Sequence, residues 1–333
     1  MHKQDIVNII LQQQNKSYLN ITAQDFACSN IALIKYWGKK NNILNIPNND
    51  SLSVPLGNKG AIVSIKISNQ EQYYLNSQLL DINHIFFNRL KTFLDLFRIA
   101  NNYYIVDIQC NIPIAAGLAS SACIFAAIIK VLAKLFAWNL NHEQLSILAR
   151  LGSGSACRSI HDGFVLWQAG KDKNGMDSFA TNFAPLFEDL RIGLLIIDKK
   201  PKIISSTAAM ELTRQTSLFY DKWQEIVNAD LAQIKHAILT IDFAKLGQIA
   251  EYNSLAMHAC MLTSRPTILY SQNATIALMH KVWQLRNSGL SIFFTQDAGA
   301  NLKLLFLQQD VIQIKKHFPQ IEIINPHNKM IIT

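Results

Sequence analysis

Apolar and polar positions alternate along Phe26–Trp37, Ala61–Ser68, Tyr103–Cys110 and Gly163–Gln168, and β-branched and aromatic residues are frequent there, so these runs predict strands. Between them, apolar positions recur at helical spacing over about Ile82–Ile99, Ala119–Phe136 and Asn141–Leu151. The last of these opens on Asn141 with Gln144 three residues on, a capping pair. A polar, glycine-containing stretch from Gly170 to Asn182 then breaks the pattern and predicts a loop near a domain boundary. Beyond it come a buried strand (Arg191–Asp198), a run of helices from about Ser206 to Asn287, and two strands flanking Asp297. A helix near Asp310–His317 and a strand near Ile321–Ile324 close the chain. Strands and helices mix without strict βα alternation, which predicts an α+β fold in two domains.

Length and composition agree with that outline. The 333 residues suffice for two domains, half are hydrophobic and 16% are charged, so the chain is globular and not disordered. The formal charge is +8, yet apart from Lys35, Lys39 and Lys40 the basic residues are scattered. With no arginine-rich arm and no basic stripe interleaved with aromatics, no nucleic-acid partner is expected, and the positive balance suits a small polyanion such as ATP. Five cysteines (Cys28, Cys110, Cys123, Cys157, Cys260) lie far apart without C-x-x-C or metal spacing and read as reduced thiols. Nine dispersed histidines give no metal pair, and His258 reads as a core or supporting residue. The opening MHKQDIVNIILQQQNKSYLN is too polar for a signal peptide. The best apolar run, Ala122–Trp138, is interrupted by Lys130 and Lys134, so no membrane span is expected. The expectation is a cytoplasmic protein.

Four segments carry candidate chemistry, each with a plainer alternative. From Pro113 through Ala115, Ala116, Gly117, Leu118 and Ala119 to Ser120 and Ser121, a small-residue loop runs into an apolar helix. Such a loop lets a phosphate approach backbone N–H groups at the positive end of a helix dipole, although close packing alone also produces it. Ser120 and Ser121 stand where a hydroxyl caps the helix or touches a phosphate or Mg²⁺. Lys35, Tyr36, Trp37, Gly38, Lys39 and Lys40 gather cations and aromatic donors at a strand exit, either to hold a diphosphate or as a solvated strand end. In the third segment Ser153, Gly154 and Ser155 form a second small-residue loop, and Arg158 follows within about one turn, where an arginine clamps a carboxylate or simply faces solvent. Asp297 ends an apolar strand before Ala298-Gly299-Ala300-Asn301, a turn in which an aspartate satisfies its own backbone or serves a site.

Taken together the blocks are specific. IKYWGK, NDSLS, P-x-x-x-G-L-A-S-S-A, A-R-x-G-S-G-S-A-C-R-S, SSTAAMELTRQTS (Ser205–Ser217), NSLAMHA (Asn253–Ala259) and D-A-G-x-N run from about Phe26 to the end of the chain. With them the sequence resembles the diphosphomevalonate decarboxylases of the GHMP kinase superfamily. The resemblance implies a GHMP-kinase fold: an N-terminal ATP-loop domain over residues 1–188 and a ferredoxin-like C-terminal domain over 189–333, whose last strand can pack back on the first domain. It also implies that ATP phosphorylates the 3-hydroxyl of (R)-5-diphosphomevalonate and that phosphate and CO₂ then leave, giving isopentenyl diphosphate. ATP and Mg²⁺ are the implied cofactors, Mg²⁺ arriving with the nucleotide and touched by Ser120 or Ser121, and a homodimer is the expected assembly.

Carried over by position, Asp297 is the implied catalytic carboxylate and Arg158 holds the C1 carboxylate. Ser153 and Ser155 contact substrate, while Tyr36, Lys39, Ser206 and Thr207 lie where the diphosphate is bound. Ser121 sits near the transferred phosphoryl group, and Lys35 neutralises charge beside Asp297. Pro113 and Ala115–Ser121 form the implied ATP loop. Three departures bear on affinity: Asp162 replaces a usual glycine, Ala300 replaces proline in D-A-G-P-N, and Pro55 stands where threonine is common. Two other readings stay open on sequence: a relative acting as a 3-kinase or on the monophosphate, and a non-catalytic metabolite-binding protein.

Overall fold

A computed structural model of the chain describes residues 1–99, 102–112, 120–200 and 202–330. The short helix α1 (Lys3–Ile10) precedes β1 (Thr22–Ile34), the small hairpin β2 (Lys39–Asn41) and β3 (Ile46–Pro47), and the long β4 (Ser51–Ser68). β5 (Gln72–Leu75), β6 (Gln78–Leu79), α2 (Ile85–Leu94) and β7 (Tyr103–Cys110) follow. Then come α3 (Ser120–Phe136), α4 (His142–Gly152), a 3₁₀ segment (Gly154–Ile160), β8 (Phe164–Trp167) and β9 (Ala180–Ala184). Apart from the β2–β3 hairpin, these strands form one sheet in the order β6-β5-β7-β4-β8-β9, with β1 along β4, and among the described residues the β5–β7 pair is the parallel one.

The second half contains β10 (Leu190–Leu195), α5 (Ser206–Thr216), α6 (Tyr220–Leu239), α7 (Phe243–Leu262), α8 (Asn273–Asn287), β11 (Phe293–Gln296), β12 (Leu302–Leu307), α9 (Val311–His317) and β13 (Glu322–Ile324). Its sheet is antiparallel in the order β11-β12-β10-β13. β13 therefore pairs within the second sheet, and the link back to the first half comes from the residues around it: Lys59 pairs with Glu322, and Lys329 with Asp162.

Helix α3 is apolar almost all round, the pattern of a helix enclosed by protein. Its two lysines reach the edge of β1, where Lys130 and Lys134 donate to the carbonyls of Phe26 and Gln24 and flank Asp25 at 3.1 and 2.9 Å. At the start of α4, Gln144 N–H donates to Asn141 Oδ1 at 2.9 Å and Asn141 N–H to Gln144 Oε1 at 3.0 Å, a reciprocal capping box.

β4 begins ten residues before the stretch that alternation marks out, because Pro55, Gly57 and Gly60 hide its first half. The ladder accommodates them: the β1–β4 register shifts between Cys28 and Asn30, and Pro55 lies opposite Asn30 beyond that bulge. Gly57 takes φ +58°, and a Cβ there would come within 2.5 Å of the Asn325 carbonyl oxygen, so only glycine lets the chain end pass so close. β1 stops at Ile34, short of the predicted Trp37, which places Lys35 at the strand exit.

Candidate active site

Strand β1 delivers Lys35 into the protein interior, where it is 2% exposed. Three neighbours fix its backbone and side chain. Its N–H donates to Asn253 Oδ1 at 2.8 Å, Asn49 Nδ2 donates to its carbonyl at 2.8 Å, and its Nζ donates to the Ala32 carbonyl at 2.7 Å. Asn253 belongs to α7 and is itself oriented by Nδ2 donating to Asp230 Oδ2 at 2.9 Å. The remaining reach of Nζ goes to Asp297 Oδ1, 2.7 Å away.

Asp297 follows β11 in a turn stapled on both sides. Ser254 of α7 donates to the Gln296 carbonyl at 3.0 Å and accepts the Gln296 N–H at 2.8 Å. Asn301 accepts the N–H groups of Ile197 and Asp198 at 2.6 and 2.9 Å, tying the far end of the turn to the end of β10. The second carboxylate oxygen of Asp297 faces Lys303 Nζ at 2.9 Å. Burial alone would raise the proton affinity of this carboxyl, but Lys303 and Lys35 together overcome that and hold it well below the usual carboxylate range. Lys35 shows the opposite balance: burial pushes its ammonium down to about 8 even though Asp297 pulls it up.

Arg158, 4% exposed, sits in a polar seat. Its Nε donates to Asn30 Oδ1 at 3.0 Å and its Nη1 to Ser51 Oγ at 2.7 Å, while Asn30 Nδ2 donates to Ser159 Oγ at 2.8 Å. Its guanidinium carbon lies 5.7 Å from the Trp167 ring centroid. These contacts are neutral, and burial lowers the proton affinity of the guanidinium. A buried arginine held, among the described residues, by one amide and one hydroxyl is a seat for an anion.

Ser121, in the first turn of α3, has its Oγ 3.2 Å from Ser153 Oγ at the end of α4. Ser155 offers its carbonyl to Asn30 Nδ2 at 3.3 Å. Tyr36 stacks edge-on against Trp167 at 4.7 Å, with its phenol oxygen buried and without a hydrogen-bond partner among the described residues. Lys39, Lys40, Asn48, Arg214 and Tyr220 line a cavity of about 570 Å³. Lys39 Nζ donates to Asn45 Oδ1 at 2.8 Å, and burial, with Arg89 and Lys3 adding to it, pushes its ammonium down to about 8. Gly38 makes this possible: at φ +112° it lets Tyr220 Oη approach to 1.7 Å from where a Cβ would stand.

Comparison with known proteins decides the family. The description "Diphosphomevalonate decarboxylase-like N-terminal domain" matches residues 27–180, and "Mevalonate 5-diphosphate decarboxylase C-terminal domain" matches 192–330. The chain belongs to the diphosphomevalonate decarboxylase family. Diphosphomevalonate decarboxylase of Debaryomyces hansenii is 33% identical over 315 residues, covering 87% of this chain and 80% of that protein. Mevalonate diphosphate decarboxylase of Staphylococcus aureus superposes with a TM-score of 0.84 at 33% identity, over 95% of this chain and 97% of its own. A second structure, MDDEF in complex with MVAPP, AMPPCP and magnesium, gives a TM-score of 0.81 at 34% identity, over 91% and 96% of the two chains. The fold is thus the two-part α+β GHMP-kinase fold of this family.

Of the residues singled out in the sequence, Lys35 meets Asp297 directly, Arg158 lies in electrostatic reach of Asp297, Lys35 and Tyr36, Ser155 touches the Asn30 that seats Arg158, and Ser121 meets Ser153, while Lys39 lines the cavity beside Tyr220 and Arg214. Pro113, Ala115, Ala116, Gly117, Leu118 and Ala119 lie outside the described residues; Ser120 is the first residue of α3. Ser206 opens α5 and accepts a hydrogen bond from Lys202 Nζ at 2.7 Å, whereas the next residue, Thr207, is exposed. Asp162 points away from the site: two-thirds exposed, it pairs with Lys329 at 2.8 Å and leaves Arg158 alone. Ala300 leaves the Asp297 turn intact, its carbonyl accepting from Thr275 Oγ1 at 2.9 Å.

Sequence reasoning missed four contributors. Lys303 is a lysine in the apolar strand LKLLFL, a placement that already signals a partnered buried charge. Lys202 ends the run DKKPK, and burial followed by repulsion from Lys303 pushes its ammonium down to about 8. Ser51 lies in the NDSLS block, yet nothing local marks it or Asn30 as a seat for Arg158, because they reach it from different strands.

Proposed function

We propose that the chain catalyses the ATP-dependent decarboxylation of (R)-5-diphosphomevalonate to isopentenyl diphosphate, with release of ADP, phosphate and CO₂. One observation carries the reading: a single ionised carboxylate, Asp297, is enclosed by the buried cations Lys35 and Lys303, with Arg158 and Lys202 in electrostatic reach. This excess of buried positive charge calls for anionic ligands, and a substrate carrying a carboxylate and a diphosphate beside a nucleotide triphosphate supplies them.

In this reading Lys39 and Tyr36 bind the diphosphate together with Ser206 and Thr207, Ser153 and Ser155 orient the carbon skeleton, and Arg158 grips the C1 carboxylate. Residues 113–119 with Ser120 and Ser121 hold the triphosphate of ATP, whose Mg²⁺ enters with it as part of the substrate. Asp297 lies against the 3-hydroxyl. So ionised a carboxylate is a weak base, but phosphoryl transfer passes through a loose transition state in which orientation and late proton uptake suffice. As the 3-phosphate departs, positive charge grows at C3, and the Asp297 carboxylate is placed to stabilise it. Arg158 keeps the C1 carboxylate aligned with the breaking bond, and Lys35 follows the negative charge of the transferred group.

The division between domains falls near residue 188, between β9 and β10, so that the cleft closes over its ligands and excludes water. Assembly as a cytoplasmic homodimer belongs to the same reading and is supported by family resemblance alone. The test is a comparison of kcat/KM for diphosphomevalonate and for its monophosphate with MgATP. A preference of about 100-fold or more for the diphosphate supports the reading, since one charge-assisted contact is worth about 1.5–3 kcal/mol. Equal rates, or no turnover of either, refute it.

A further inference from the structure

β12 is an inner strand of the second sheet, between β10 and β11, and its side chains alternate. Leu302, Leu304 and Phe306 enter one apolar cluster, and Leu305 enters the other. Lys303 shares the face of Leu305, opposite Leu194 on β10 and Thr295 on β11. Packing alone would place an apolar residue there, and an ammonium only 1% exposed is expensive to bury. Its charge partner is Asp297, met at Oδ2 at 2.9 Å, while Lys35 meets Oδ1 at 2.7 Å.

We propose that Lys303 is a positioning residue for the reaction: it holds the Asp297 carboxylate by one oxygen, so that the other can pass from Lys35 to the substrate hydroxyl without the side chain turning. The two lysines are mounted differently. Lys303 rises from the middle of a rigid sheet, whereas Lys35 follows the end of β1 and also binds the Ala32 carbonyl. One anchor remains when the other changes partner. Without Lys303, a carboxylate whose first oxygen leaves Lys35 would be free to rotate at the moment of transfer.

The electrostatics around Asp297 give the inference a signature. The groups that face it are Lys35 beyond β1, Lys303 on β12, Arg158 on the 3₁₀ segment, Lys202 before α5, and His258 on α7. Burial first, and then the neighbouring Lys35, push His258 down to about 4, so it is neutral at working pH and contributes no charge. Removing Lys303 takes away a cation that lowers the proton affinity of Asp297 and also a like charge that lowers that of Lys35. Both limbs of the pH–rate profile therefore move in the alkaline direction.

This inference rests on the decarboxylase reading, so wild type and variants are assayed side by side with MgATP and diphosphomevalonate across the pH range. For Lys303→Met and Lys303→Gln, kcat is expected to fall on the order of 10- to 100-fold. KM for either substrate is expected to change less than about threefold. Both the acid and the alkaline limb should shift to higher pH. Lys303→Arg, which keeps the charge, restores the acid limb and part of kcat. Unmoved limbs in a folded neutral variant, or a loss confined to KM, overturn the role of Lys303 while leaving the function intact; an inactive wild type overturns the function instead. If neither neutral variant folds, Lys303→Arg decides: kcat within about tenfold of wild type supports the inference, and an inactive folded enzyme overturns it.

Discussion

Replacing Lys39 by Met should stabilise the ligand-free protein while crippling its substrate site. Lys39 carries a charge that burial disfavours, with Arg89 and Lys3 adding repulsion, and its ammonium donates to a neutral amide, Asn45 Oδ1. A fall in proton affinity from 10.5 to about 8 corresponds to about 3 kcal/mol at pH 7. Part of the side chain still meets solvent, which trims this to about 2 kcal/mol. Leaving the buried Asn45 oxygen unpaired returns about 1 kcal/mol, so the net gain for Lys39→Met is about 1 kcal/mol, a rise in Tm of roughly 2–4 °C. The sign depends on pH. Below about 8 both folded and unfolded Lys39 are protonated, and the wild type bears the full penalty. As pH rises from about 8 toward 10.5 the folded protein loses its proton first, so the wild type recovers and the advantage of the variant disappears.

The assay is thermal unfolding of both proteins with and without inorganic pyrophosphate. At 100 times its Kd a ligand adds about 2.7 kcal/mol, so pyrophosphate should lift the wild type above the variant and leave the variant nearly unmoved. The reasoning is refuted if Lys39→Met melts below wild type without ligand, or if both proteins gain equally from pyrophosphate.

Other consequences follow from the same geometry. Arg158→Lys keeps the charge but loses the planar fork seated by Asn30 and Ser51, and should reduce kcat/KM on the order of 10- to 100-fold. Its effect should fall more on CO₂ release than on ADP release, read by following both products. Activity should decline as pH rises through about 8, where buried Lys35 gives up its proton together with Lys39 and Lys202, and Lys35→Met should weaken that limb and remove most of the turnover. Asp162→Gly should leave kcat and KM within about twofold of wild type, because an exposed ion pair with Lys329 is worth little and points away from Arg158.

Much of this was legible in the sequence where the signal is local. The α3 and α4 patterns, the capping pair at Asn141 and the strand leading to Asp297 all appear close to where periodicity put them. The start of β4 was not, since Pro55 and Gly57 read as breakers until the bulge in β1 and the chain end at Asn325 are seen to accommodate them. At the site, motif blocks mark Asp297, Arg158 and Lys35, yet nothing in them reveals that Lys35 meets Asp297 across 262 positions of chain. Lys303 lies six residues from Asp297 and was still overlooked, because strand alternation speaks of faces and not of which charge waits on the facing turn. Asn30 and Ser51 are short polar residues in strands, and only their shared reach to Arg158 gives them meaning.

The central claim is that this cleft couples phosphorylation of a tertiary alcohol to loss of the neighbouring carboxylate. The measurement that tests it most directly follows ADP and labelled CO₂ together from MgATP and C1-labelled diphosphomevalonate, for wild type and for Asp297→Asn. The account predicts equal amounts of the two products from wild type, and a loss of both by about 1,000-fold or more in the variant. ADP without CO₂ from wild type, or undiminished turnover in Asp297→Asn, would contradict it.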